Sequence, residues 1–224
     1  MMEKLISKAA VLLEALPYMQ RFRSQTFVVK YGGSFMDSPD PEVRTGVARD
    51  VVFLEAAGID PIVVHGGGKA ISRAMEESGL QAKFVEGLRV TDEETVSVVD
   101  ETLSRQINPA IVDTINRLGG RAKGFAGTEI FKCKKFEPIG KDGKAHDIGY
   151  VGQVTEVNTA PLEECIAKNI TPVISPTALG EDGKIYNCNA DIAAAQTAIA
   201  LTAKRLVFMS DVPGLMRDPE DPET

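Results

Sequence analysis

Two stretches concentrate the residues that could do chemistry. In "VVKYGGS" (28–34), Lys30 closes an apolar run, and Gly32 and Gly33 follow one residue later. In "IVVHGGGK" (62–69), a second apolar run ends in His65, Gly66, Gly67 and Gly68. Glycines after a parallel strand let backbone N–H groups turn toward a ligand, and a helix N-terminus adds a dipole that favours an anion. A lysine beside such donors suits phosphoryl transfer, which needs positive charge on the bridging and equatorial oxygens more than covalent chemistry. The same lysine could also end its strand in solvent, and one glycine pair could be a plain turn. Two glycine-rich strand ends in successive units favour an anion site.

The familiar phosphate loops do not match. G-x-x-x-x-G-K-[ST] fails around Gly68–Lys69, where Val63 stands for the first glycine and Ala70 for the hydroxyl. G-x-G-x-x-G fails because the residues after Gly68 run on through Ser72 and Arg73 without a glycine. Further along, Arg89 in "EGLRVTD" (86–92) offers a planar fork for a carboxylate, although a lone surface arginine is a common feature. "YNCNAD" (186–191) sets Asn187, Asn189 and Asp191 before an apolar helix. Asn187 could bind an amide or carboxylate, and Asp191 could cap the helix or hold lysines in place. His65 is expected to tether its glycine turn, and His146 receives no role.

The elements that position these residues alternate. "TFVVK" (26–30) reads as a strand, 40–58 as a helix ending at Gly58, "DPIVVH" (60–65) as a strand, and 66–79 as a glycine-opened helix. "TDEE" (91–94) fits a capping box, with Thr91 capping and Glu94 reaching back. A long helical stretch to Leu118 should break at Pro109. Residues 119–157 read as antiparallel hairpins, 160–168 as helix, 171–175 as strand, 189–203 as an apolar helix and 204–211 as strand. The expected fold is α/β: a three-layer αβα sandwich with a mainly parallel open sheet, a β-hairpin insert and an N-terminal helix. That leading helix, 3–23, carries Leu5, Ala9, Leu12, Leu16 and Met19 on one stripe and should kink at Pro17. The stripe could dock on its own domain or on another subunit.

The 224 residues are 43% hydrophobic and 25% charged, a composition with a real core. A net charge of −7 excludes nucleic-acid binding by bulk charge, so an anionic ligand needs a local positive site. No apolar run approaches the roughly 18 residues needed to cross a bilayer, and no signal-peptide core is visible. The expectation is a cytoplasmic protein without membrane contact. Cys133, Cys165 and Cys188 form no C-x-x-C and are expected to be buried free thiols, with no metal site.

Taken together, "VVKYGGS", "IVVHGGGKAIS", "EGLRVTDEE", "YNCNADIAAA" and "VFMSDVPGLM" stand in the order and spacing of the amino acid kinase family. "GLRVTD" with N-x-N-A-D makes the chain most similar to the acetylglutamate kinases. The resemblance implies transfer of the ATP γ-phosphoryl group to the side-chain carboxylate of N-acetyl-L-glutamate, a step of arginine biosynthesis. It implies Lys30 on the transferring phosphoryl group, with Asp191 orienting lysines. Gly32 and Gly33 would bind ATP phosphates, and Gly67 and Gly68 the acceptor carboxylate. Arg89 and Asn187 would bind the α-carboxylate region, and "SDVPGLM" (210–216), with Asp211 and Gly214, would begin the nucleotide pocket. Magnesium would accompany ATP as co-substrate, with no tightly bound cofactor. No general base is required, because a carboxylate is already a competent nucleophile. The implied organisation is an oligomerisation helix at 1–25, an acetylglutamate-binding lobe at 26–203 and the start of an ATP-binding lobe at 204–224.

The N-terminal helix ending "EALPYMQRF" also resembles that of the arginine-inhibited hexameric branch, which implies a homo-oligomer and L-arginine as a feedback inhibitor. Two differences from the family pattern stand out at the motifs: Phe35, where the family more often has an alanine before the methionine, and Lys69, where it often has a proline after the three glycines. The family's second catalytic lysine, in a Gly-Gly-Met-type segment, is expected beyond residue 224, so the chain is read as truncated and impaired in ATP binding and turnover. Two further readings stay open: another carboxylate or carbamate kinase of the same fold, and an inactive effector-binding subunit.

Overall fold

The computed structural model describes residues 2–33, 40–140, 143–209 and 217–218. β1 (Thr26–Tyr31) and β2 (Asp60–His65) are apolar on both faces, so each is stable only in a sheet covered on both sides. They pair in parallel, Val28 beside Ile62 and Lys30 beside Val64. α2 (Pro41–Ala56) joins them. Its first turn is capped by the Asp40 carboxylate, which accepts from the Glu42 N–H, and Pro41 sits where no N–H is missed. α3 (Gly68–Glu77) follows β2 directly, and β3 (Phe84–Val85) and β4 (Leu88–Arg89) form a small antiparallel hairpin. Glu86 and Gly87, at φ 47° and 76°, make its turn, and positive φ at both positions matches the twist of a tight hairpin.

The helical stretch to residue 118 has a different cap and a different break from those expected. Asp92, not Thr91, is the N-cap of α4 (Glu93–Asp100): its carboxylate accepts the Thr95 N–H at 2.8 Å. Thr91 is buried and bridges to Gly149, so its hydroxyl turns inward and donates to Arg89 O at 2.8 Å. Pro109 does not end the run. It sits in the first turn of α5 (Asn108–Arg117), and the widened turn precedes it as a π-helical segment, Glu101–Ile107. There Asn108 N–H reaches back to Leu103 O, five residues away, an arrangement that tolerates the missing proline N–H downstream.

β5 (Ala122–Phe125) belongs to the main sheet, paired in parallel with β8 (Thr171–Ile174). With β11 (Arg205–Met209) on the far edge, the five parallel strands run β11-β1-β2-β8-β5. The hairpin expected within 119–157 exists as β6 (Phe131–Lys135) and β7 (Val151–Val157), preceded by the one-turn α6 (Gly127–Ile130). It is larger than expected: β9 (Thr177–Gly180) and β10 (Ile185–Cys188) close it into a four-stranded barrel, β10-β7-β6-β9. At four residues each, β9 and β10 are too short to show an alternating pattern.

Helices cover both faces of the sheet. On one, Val28, Ile62, Val64 and Ile174 pack on Leu162 and Cys165 of α7 (Ala160–Ala167) and on Ala193 and Ala194 of α8 (Ala190–Ala200). On the other, Tyr31, Val63 and Val173 pack on Val47, Ala48 and Val51 of α2 and on Ile111 and Ile115 of α5. Each such fully buried aliphatic side chain contributes about 1.5–3 kcal/mol. The architecture is the three-layer α/β sandwich read from the sequence. Cys133, Cys165 and Cys188 are buried free thiols.

α1 (Met2–Phe22) continues through Pro17 and is anchored at its C-terminal end, where Phe22 stacks edge-on against Phe27 at 5.3 Å and Arg205 covers the ring at 5.0 Å. Further up the helix, Leu12 and Leu16 are 67% and 45% exposed, and Ile6, Val11, Leu13 and Tyr18 are exposed with them. Among the described residues no helix is long and apolar enough to cross a membrane.

Candidate functional site

The C-terminal ends of β1 and β2 lie side by side at the centre of the sheet, and the glycines that follow them touch. A Cβ on Gly33 would come within 3.2 Å of the Gly67 backbone. On its other side Gly67 is pressed by the π segment: its Cβ would lie 2.6 Å from Leu103 Cδ2 and 2.7 Å from Ile107 Cδ1. Only glycine lets these backbones approach so closely. α3 then begins at Gly68 with no side-chain cap, leaving its first N–H groups for an anion.

These glycines form one wall of a cleft of about 280 Å³. Opposite them stand Asn187 and Cys188 of β10 and the first residues of α8, with Phe84, Leu88 and Arg89 of the hairpin alongside. The N-termini of α3 and α8 both line the cleft, so two helix dipoles present positive ends to it. Of the residues expected to bind an acceptor, Gly67, Gly68, Arg89 and Asn187 all line this cleft, with Asp191 at the same wall.

Each polar group is held by a specific partner. Asn189, not Asp191, caps α8: its side-chain oxygen accepts from the Asp191 and Ile192 N–H groups. The Asp191 carboxylate is thereby left for Lys30, whose Nζ lies 3.0 Å from Oδ1. The Lys30 side chain is only 18% exposed. It points to the α8 face because β1 alternates, Val28 and Lys30 on one face and Val29 and Tyr31 on the other. Arg89 is buried, which pulls its guanidinium pKa down, yet a guanidinium stays charged in proteins. It donates to Gly68 O at 3.0 Å, Ser72 Oγ at 2.9 Å and Met75 Sδ at 3.2 Å, and it stacks 4.8 Å from the Phe84 ring centre. Both Nη2 hydrogens and one Nη1 hydrogen are committed there, leaving Nε–H and the second Nη1–H as separate single donors. Asn187 Nδ2 donates to Thr91 Oγ1 at 3.4 Å, and that hydroxyl donates to Arg89 O, so the hairpin and the barrel are tied through one threonine.

His65 is fully buried, and burial lowers its pKa to about 4, so the ring is neutral. Its Nδ1 lies 3.0 Å from Gly66 O, the tether to the glycine turn expected of it. Gly32 is buried and Gly33 half-buried beyond β1. Asp211 and Gly214 lie outside the described residues. Sequence reasoning passed over Thr91 as a link, because its T-x-x-E spacing suggested a cap. It passed over Ser72 and Phe84 because nothing local to them pointed to an arginine 17 and 5 residues away in the chain. Among the described residues no group of three or more His, Cys, Asp or Glu could hold a metal ion.

A touching pair of glycine loops on a central parallel sheet, next to a barrel-walled cleft, is a specific combination. The family model described as "Amino acid kinase family" matches residues 25–224. The chain belongs to the amino acid kinase family. Within this family it is 47% identical over 223 residues to an acetylglutamate kinase of Akkermansia muciniphila, covering 99% of this chain and 74% of that one. It is 44% identical over 226 residues to an acetylglutamate kinase of Aquifex aeolicus, covering 96% of this chain and 75% of that one. Among solved structures, smu.665 from Streptococcus mutans UA159 superposes with a TM-score of 0.74 at 26% identity, over 86% of this chain and 75% of that one. The N-acetylglutamate synthase of Neisseria gonorrhoeae, complexed with coenzyme A and N-acetyl-glutamate, shares the fold: TM-score 0.80 at 23% identity, over 94% of this chain and 47% of that one.

Proposed function

We propose that this amino acid kinase phosphorylates the side-chain carboxylate of N-acetyl-L-glutamate with ATP, giving N-acetyl-L-glutamyl 5-phosphate for arginine biosynthesis. The observation that carries the reading is the convergence of Gly67, Gly68, Arg89 and Asn187 on one cleft, beside the Lys30–Asp191 pair. Its volume, about 280 Å³, lies just below the usual range of ligand clefts, which favours a small acceptor over a nucleotide. The acetylglutamate kinases 44–47% identical to the chain support the same substrate.

In this reading the Arg89 guanidinium takes the α-carboxylate through its charge and a remaining single N–H, Asn187 takes the neighbouring amide, and the N–H groups at Gly67 and Gly68 the acceptor carboxylate. That carboxylate attacks as the anion it already is, so no residue need remove a proton. Gly32 and Gly33 donate N–H groups to the ATP phosphates. Lys30, held by Asp191, neutralises charge that grows on the transferring group. Magnesium arrives with ATP as part of the co-substrate. Residues 26–203 form the acetylglutamate lobe, and Asp211 and Gly214 belong to the nucleotide side. The exposed apolar face of α1 packs on a second copy of the chain, and L-arginine acts as feedback inhibitor through that assembly. Calorimetric titration with N-acetylglutamate, N-acetylaminoadipate and free glutamate tests the substrate. Tightest binding of N-acetylglutamate is expected; tighter binding of the longer acid would favour an aminoadipate-type kinase.

A further inference from the structure

Beneath the glycine turn a buried polar chain runs from the π segment to the substrate cleft. Asn108, 3% exposed, is the first residue after that segment. Its Nδ2 donates to Val173 O at 2.9 Å and shares its second hydrogen between His65 Nε2 at 3.3 Å and Phe125 O at 3.4 Å. Two carbonyl partners fix the NH₂ end of the amide toward His65, so Nε2 must accept. The ring proton then sits on Nδ1 and is donated to Gly66 O. The neutral ring that burial enforces is the form this chain of bonds needs, since an imidazolium has no acceptor to offer Asn108.

Three features surround Asn108 in this place. Gly124 leaves room for it: a Cβ there would collide with Asn108 Oδ1. The π turn alters the helix phase just before it, where an unbroken α-helix would carry Asn108 about 100° round the axis from a position one residue away. And the same segment supplies Leu103 and Ile107, which close on Gly67 from below. The loop is thus held at two points, at Gly67 by contact with Leu103 and Ile107, and at Gly66 by His65, which Asn108 holds in turn.

We infer that Asn108 is a positioning residue for the substrate cleft, acting through His65 to fix the Gly66–Gly68 turn that receives the acceptor carboxylate. This rests on the acetylglutamate reading of the cleft. Asn108 touches no substrate. It sets the ring, the ring sets the Gly66 carbonyl, and the carbonyl sets which way the following N–H groups face. Loss of one such bond costs about tenfold in an equilibrium that depends on the geometry it holds.

The test uses the protein with three side chains changed separately. Long-range ¹H–¹⁵N spectra of the wild type, assigned by comparison with His146→Gln, are expected to show His65 as the Nδ1–H tautomer, unprotonated from pH 5 to 9. An Nε2–H tautomer would overturn the inference without any folded variant being needed. Asn108→Ala is expected to populate both tautomers and to weaken N-acetylglutamate binding about tenfold, measured by calorimetry well below its melting temperature. Leu162→Ala, a cavity in the opposite core layer, controls for destabilisation alone and should leave binding unchanged. Asn108→Ala binding as tightly as Leu162→Ala would overturn the inference. Wild-type protein that does not bind N-acetylglutamate would overturn the substrate reading instead, and the tautomer measurement would still decide the relay.

Discussion

Replacing Lys30 by alanine separates transition-state stabilisation from structural support. The Lys30–Asp191 pair is half open to water, with Asp191 51% exposed. Pairs of that kind are worth about 0–1 kcal/mol, so Lys30→Ala should lower the melting temperature by at most about 2–4 °C in a chain of this size. Catalysis is a different matter. In the proposed mechanism Lys30 meets charge that develops only as the phosphoryl group transfers, and removal of a preorganised donor at such a point costs about 2.7–4 kcal/mol, or roughly 10²–10³ in kcat. In the proposed reading the acceptor is held elsewhere, by Arg89, Asn187 and the Gly67–Gly68 turn, so the KM for N-acetylglutamate should move by no more than about threefold. A coupled ADP-release assay with both substrates varied reads both parameters, and a thermal melt reads the third. A melting temperature that collapses, or a loss carried wholly by KM with kcat intact, would refute the reasoning.

Other outcomes follow from the same geometry. Gly67→Ala forces a methyl group against Leu103 and Ile107, an overpacking that costs about 1–3 kcal/mol; melting should show it, and Leu103→Ala in the same chain should restore part of the stability. Asp92→Ala removes the cap of α4 at a cost of about 0.5–2 kcal/mol at neutral pH. The Thr95 N–H holds the Asp92 pKa below its usual value, so the cap's contribution is complete above about pH 4 and is lost as pH falls through the lower folded value. Melts of wild type and Asp92→Ala should therefore converge at low pH; a constant gap would contradict this. His65 behaves with the opposite partner state: buried neutral with a pKa of about 4, it binds its proton in the unfolded chain first. Stability should decline as pH drops from about 6.5 toward 4, by up to about 3 kcal/mol, and His65→Gln should flatten that decline in denaturant titrations. An equally steep variant would exclude His65 as its source.

The layered sheet was legible because β1, β2 and β8 are continuous apolar runs, and the glycine loops were legible because their composition is unusual at strand ends. The barrel was half hidden: β9 and β10 have four residues each, and their closure on β6 and β7 is a tertiary event with no local signature. Capping was misread at α4, where Thr91 was expected, and was left open at α8, where Asp191 could cap or hold a lysine. Thr91 and Asp191 have side chains that can cap, but each is drawn to a tertiary partner, Arg89 O and Lys30, while a neighbour, Asp92 or Asn189, takes the helix end. Lys30 itself was undecidable locally. What decides its placement is a carboxylate 161 residues later in the chain, delivered by α8 across the top of β1.

The most direct measurement is acyl-phosphate formation. Incubating the full-length enzyme with ATP, magnesium and N-acetylglutamate in hydroxylamine should yield the γ-hydroxamate, at a rate that depends on N-acetylglutamate and falls roughly 10²–10³-fold in Lys30→Ala. Hydroxamate formed equally well from unacylated glutamate, or at an undiminished rate in Lys30→Ala, would contradict the account.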